Sequence, residues 1–137
     1  MTDSTLPPGL HPATLAVREG VARTAYGENS EALFLTSGYV QPTAAASAAR
    51  FAGEEDGYTY ARSGNPTVTS FERRLAAMEG TEACMATATG MAAIMLMCFS
   101  LLKSGDHVVF SQSMFGSTIK LIGSEFARFG VESTMVP

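Results

Sequence analysis

The sequence predicts an α/β fold, an open sheet of parallel strands with helical crossovers, preceded by an extended N-terminal arm. Three observations predict it. From residue 58 onward the apolar spacing alternates between helical and strand periods, giving helix, strand, helix, strand, helix, strand. The helical connections are long enough for right-handed crossovers between parallel strands covered on both faces. Residues 1–57 carry scattered Pro, Gly and Ala with no sustained period, as an arm would.

Within the arm, residues 14–23 read as a short helix and residues 44–51 as a mixed stretch. Leu33, Phe34, Leu35, Tyr39 and Val40 have too little chain around them to be buried locally, so this segment is expected to lie on the following domain or on another subunit. Asn65 before Pro66 marks a helix start, because Asn accepts from free backbone N–H groups and Pro needs no donor at the first position. Val68, Phe71, Leu75 and Met78 follow at helical spacing, and Gly80 supplies a left-handed stop. Residues 83–88 read as a strand. Gly90 opens a second helix, apolar nearly all round and therefore expected to be buried, ending at Ser104-Gly105. Val108, Val109 and Phe110 form the next strand. A third helix starts near Phe115, carries Ile119, Ile122, Phe126 and Phe129 on one stripe, and closes at Gly130 before a last strand over residues 131–136. Three parallel strands with bare edges are an incomplete layer, so the chain is expected to be the front part of a larger protein.

Composition narrows the function. With 137 residues and 46% of them hydrophobic, the chain has material for a core and is not a disordered segment. Nine Lys+Arg against 13 Asp+Glu leave a net charge of −4 without a basic cluster, which argues against nucleic acid or an anionic membrane as partner. The longest apolar run, residues 91–102, is shorter than a membrane span. Met1, Thr2 and Asp3 are polar and precede Pro7-Pro8, unlike a signal peptide. Cys84 and Cys98 sit in apolar surroundings without metal-ligand spacing, so free thiols in a cytoplasmic protein are expected, with no metal.

Three places hold candidate chemistry. Residues 88–93 join a strand to a helix, where unpaired N–H groups and the helix dipole favour an anion. Gly90 there admits close approach, and Thr89 adds a hydroxyl. A glycine at such a turn also has a plain packing explanation. Residues 58–67 place Tyr60 and Arg62 in a loop before a helix, suited to phosphate or carboxylate, or simply to solvent. Phe115 follows the strand of Val108–Phe110 and offers a ring for a planar ligand, or for the core. Neither GxxxxGK[ST] nor GxGxxG occurs.

Taken in order, Tyr58-x-Tyr60-Ala61-Arg62-x-Gly64-Asn65-Pro66-Thr67, the helix FERRLAAMEG, TGMAAI, GDHVV and FGST resemble the Cys/Met metabolism family of pyridoxal phosphate enzymes. The resemblance runs from about Leu33 to Pro137, and several segments look most like the O-succinylhomoserine sulfhydrylase branch. It implies the start of the large cofactor domain of a fold type I (aspartate aminotransferase-like) enzyme, with residues 1–60 an arm contacting a neighbouring subunit and residues 61–137 the first part of the domain. It implies pyridoxal 5′-phosphate, with the Gly90 and Met91 N–H groups on its phosphate, Thr89 where Ser is usual, and Phe115 stacked on its ring where many relatives have Tyr. Tyr60 and Arg62 match a pair that reaches the phosphate of a neighbouring subunit, so a homo-oligomer, a dimer of dimers, is implied. The lysine that holds the cofactor covalently lies beyond Pro137, so no catalytic residue is assigned within this chain; Lys103 and Lys120 read as solvated. The implied reaction is γ-replacement on an activated homoserine with sulfide, yielding homocysteine. Alternatives are cystathionine γ-synthase or a γ-lyase of the same family, or a non-catalytic interaction module.

Overall fold

A computed structural model describes residues 6–137. The reading of Met1, Thr2 and Asp3 lies outside the described residues. The chain divides into two compact units, Met1–Ala86 and Thr87–Pro137.

In the first unit, helix α1 spans Pro12–Arg18, shorter than expected and displaced toward the N-terminus. His11 caps it, its Nδ1 accepting the Ala13 N–H at 3.2 Å, and Pro12 occupies the first position. The helix cannot run on to Arg23 because Glu19 turns extended and Gly20 takes a left-handed φ of 72°. A Cβ at Gly20 would lie 2.5 Å from the Ser70 carbonyl, so α1 closes on its partner helix only through glycine. Residues 44–51 resolve as helix α2, Ala44–Ala52, capped by the Thr43 hydroxyl and stopped by left-handed Gly53.

Helix α3, Pro66–Glu79, starts and stops where Asn65 and Gly80 place it. Its buried positions are Pro66, Ser70 and Ala76, while Val68, Phe71 and Met78 remain exposed. The small residues on that other side are what let α1 approach. Residues 83–88 do not form the expected strand: no described segment pairs with them, and the Ala86 N–H is taken by Glu72 Oε1 at 2.7 Å. A strand exists only through its neighbour, so apolar character there was insufficient.

The second unit contains helix α4 (Gly90–Leu101), strand β1 (His107–Ser111), helix α5 (Gly116–Lys120) and strand β2 (Glu132–Val136). The two strands pair in parallel, from His107 opposite Glu132 to Ser111 opposite Val136, so two strands stand where three were expected. The helix predicted after Phe115 changes pitch along its length. α5 passes into a π turn, Leu121–Glu125, in which the Phe126 N–H reaches back to the Leu121 carbonyl, and then into a 3₁₀ turn, Phe126–Phe129, closed by left-handed Gly130. The core gathers Cys98, Phe110, Leu121, Ile122, Phe126 and Val131. Phe99, Phe126 and Phe129 form an aromatic group with centroids 5.0–6.0 Å apart.

The expected burial of α4 is not found. Met91, Ile94 and Cys98, at i, i+3 and i+7, face the core, but Met95, Leu96, Met97, Phe99 and Leu101 are exposed because this unit covers one side of the helix. Among the described residues no helix is long and apolar enough to cross a membrane.

Candidate functional site

The start of α4 is built by Thr89. Its backbone is extended, with φ −151° and ψ 157°, and its Oγ1 accepts the Ala92 N–H at 3.1 Å. Its carbonyl accepts the Ala93 N–H at 3.1 Å and the Thr87 hydroxyl at 2.9 Å. The Ala93 bond is the first regular bond of the helix, and the Ala92 bond satisfies one of the four donors that a helix leaves unpaired at its first turn. The N–H groups of Gly90 and Met91 meet no acceptor among the described residues. The Thr89 hydroxyl, which accepts from Ala92, keeps its proton to donate outward. Thr89 and Gly90 are exposed, and a Cβ at Gly90 would touch nothing within 4 Å. Packing in this unit therefore gives no reason for glycine at 90. The remaining arrangement is two amide donors, one hydroxyl donor and the positive end of a helix dipole facing open space, which suits a phosphate.

Phe115 belongs to the same unit and stands at the N-terminus of α5, past the carboxyl end of β1, the end at which open α/β sheets bind ligands. The residue is 72% exposed and outside the core cluster. Its carbonyl accepts the N–H groups of Thr118 and Ile119 at 2.8 and 3.1 Å, which fixes its backbone. A free, rigidly mounted aromatic face can cover a planar ring. A ligand with an anionic group and a planar ring would find a partner for each in this unit. Lys103 and Lys120 are exposed.

Tyr60 and Arg62 lie in the first unit. Tyr60 bridges Gly38 in antiparallel fashion, the Ala61 N–H donates to the Ser37 carbonyl at 2.8 Å, and the Tyr60 carbonyl accepts from Ser63 and Gly64. The Arg62 guanidinium sits 4.5 Å from the Tyr60 ring centroid, a cation–π contact that holds the cation on the loop surface. Below it is a cleft of about 240 Å³ bordered by Arg62, Gly64, Asn65, Glu72 and Met85.

The brace beneath this loop is absent from the sequence reading. Gln41 Nε2 donates to the carbonyls of Tyr39 and Tyr58 at 3.1 and 2.9 Å, and Arg50 in turn bonds Gln41 and pairs with Glu55. The Tyr58 hydroxyl bonds Thr69 Oγ1 at 3.1 Å, and the Tyr39 and Tyr58 rings lie 5.5 Å apart. Burial pushes the Tyr39 phenol up, with Tyr58 adding to it. The Gln41–Tyr58 and Tyr58–Thr69 bonds span 17 and 11 residues, separations for which periodicity carries no signal.

The model of the family described as Cys/Met metabolism PLP-dependent enzyme matches residues 13–137. An O-succinylhomoserine sulfhydrylase of Pseudomonas aeruginosa is 56% identical over 124 residues, 90% of this chain and 31% of that protein. A second O-succinylhomoserine sulfhydrylase, from Mycobacterium tuberculosis, is 45% identical over 135 residues, 98% of this chain and 33% of its own. Among solved structures, one designated an O-acetylhomoserine (thiol)-lyase from Campylobacter jejuni, holding a pyridoxyl-lysine monophosphate, superposes with a TM-score of 0.85 at 31% identity, covering 93% of this chain and 32% of that one. The chain thus spans about a third of the length of the relatives it matches.

Proposed function

This chain belongs to the Cys/Met metabolism family of PLP-dependent enzymes and has their fold type I architecture, and we propose that the whole protein is an O-succinylhomoserine sulfhydrylase. The reading rests on the two sulfhydrylase relatives, at 56% and 45% identity, together with the donor set at the start of α4. In the proposed reaction the Cγ–O bond of O-succinylhomoserine breaks, its electron pair leaves with succinate, and a C–S bond to sulfide forms, giving homocysteine. Pyridoxal 5′-phosphate supplies the electron sink for this γ-replacement.

Each residue then has a part. The Gly90 and Met91 N–H groups and the Thr89 hydroxyl hold the phosphate, and Phe115 covers the ring and excludes water from that face. Tyr60 and Arg62 serve the phosphate of a neighbouring subunit in a cytoplasmic dimer of dimers, with residues 1–60 as the contacting arm. The exposure of Leu33, Leu35 and Val40 supports that arm, since such groups would be covered by a partner. The lysine that binds the cofactor covalently is outside residues 1–137.

The decisive variant is Gly90→Val in the full-length protein. The added side chain meets no protein atom at its Cβ, so folding should be unaffected. It occupies the space in front of the unpaired amides, and cofactor affinity should drop about tenfold or more as charge-assisted bonds are lost. Unchanged affinity would remove the phosphate assignment. Homocysteine formed from O-succinylhomoserine and sulfide, assayed beside methionine cleavage, tests the reaction; cleavage without replacement would favour the γ-lyase alternative.

A further inference from the structure

Thr118 is the most deeply buried side chain of the described residues, 1% exposed, and it is polar. A hydroxyl in apolar surroundings is costly to bury unless it is bonded, and valine would fill the same volume without that cost. The hydroxyl of Thr118 donates to Met91 Sδ at 3.6 Å, its one hydrogen bond among the described residues. The backbone N–H of the same residue donates to the Phe115 carbonyl at 2.8 Å. Thr118 therefore touches both segments assigned to the cofactor: Met91, whose own N–H is unpaired at the first turn of α4, and Phe115, whose ring stands free at the start of α5.

We propose that Thr118 is a positioning residue for the cofactor phosphate, a strut that fixes the first turn of α4 against the Phe115 segment so that the Met91 amide and the Phe115 ring keep one spacing. It touches neither phosphate nor ring. Thioether sulfur is a weak acceptor, so the bond adds little to folding; it selects one setting of the Met91 side chain, and with it the aim of the turn that carries the amide. The inference rests on the phosphate reading of α4, and the test separates the two.

Pyridoxal phosphate and pyridoxal are titrated into the cofactor-free full-length protein, and the melting temperature of each cofactor-free variant is measured. Thr118→Ser keeps the hydroxyl and should bind pyridoxal phosphate within about twofold of the parent. Thr118→Val and Met91→Leu should each weaken pyridoxal phosphate about threefold to tenfold, with a smaller loss for pyridoxal, which has no phosphate to misalign. The double variant should bind no more weakly than either single one, because both remove the same bond. The cofactor-free valine variant should melt no lower than the parent, because valine buries no hydroxyl. Parental affinity in Thr118→Val while Gly90→Val loses the cofactor would overturn the strut and leave the phosphate site standing. Parental affinity in both would remove the site and the strut together. A valine variant that melts lower and loses pyridoxal and pyridoxal phosphate equally would reduce Thr118 to a packing residue.

Discussion

Residues 87–137 converge on one apolar cluster, with Phe126, Ile122, Cys98 and Val131 each at 2–3% exposure. Among the described residues up to Ala86 the buried hydrophobic side chains are Val21 and Ala76, and this unit depends on side chains that reach distant backbone. Asn65 donates to the Phe34 carbonyl at 2.9 Å, Arg74 bonds the Glu19 carbonyl and Glu31 Oε1, and Thr67 Oγ1 accepts the Phe34 N–H. The difference teaches how each unit should fail. An apolar cluster loses stability with volume removed, whereas a hydrogen-bonded frame loses it when one donor or acceptor is left unmatched.

The largest expected effect is Phe126→Ala, which should cost about 3–5 kcal/mol and speed amide exchange in β1 and β2. Equal acceleration in the loop around Tyr60 would erase the distinction between the units. Asn65→Ala comes next, at about 1–3 kcal/mol, because it removes the cap on Thr67 and the bond to Phe34 together. Asn65→Asp restores the cap but not the donor, and should fall between alanine and the parent in urea unfolding.

Helix limits were legible where the signal is local. Asn65-Pro66 and Gly80 bound α3, and Gly90 opens α4, because capping depends on residues within one turn. The parallel pairing of β1 and β2 followed from the length of the helical connection. Residues 83–88 and the burial of α4 were misread, since both depend on what lies beside the segment and not on its own composition. The α4 half of the candidate site was legible for the same local reason. Thr118 was not, because a single threonine after Phe115 gives no sign that its hydroxyl will meet a sulfur 27 residues away. Gln41 and Arg50 were equally silent.

A third and smaller effect concerns pH. The hydrogen bond from Arg74 holds the Glu31 carboxyl below its ordinary value of 4.5. A lowered carboxylate contributes stability that is present above pH 4.5 and is lost as pH falls through the lower folded value. Glu31→Gln should therefore be less stable than the parent at neutral pH, by under about 1 kcal/mol for a pair still partly open to solvent, and the two should converge on acidification. A gap that persists in acid would mean that Glu31 acts by something other than its charge. The smallest effect is Leu35→Ser. At 94% exposure within one chain, its urea midpoint in dissociated subunits should correspond to a change below about 0.5 kcal/mol, and a larger loss there would show that the first unit has an apolar centre after all.

The π turn between Lys120 and Phe126 bears on how this chain can vary in length. The Phe126 N–H bonds five residues back, so the backbone holds one residue more than an α-helix would need to join the same end points. Removing Ser124, which is exposed, should let the turn tighten to α pitch while Ile122 and Phe126 keep their seats in the cluster. Any relative one residue shorter at this point would then be structurally equivalent, with its alignment gap inside residues 121–125 instead of in the loops that flank β1. A Ser124 deletion that unfolds the second unit would show that the extra residue is itself part of the packing.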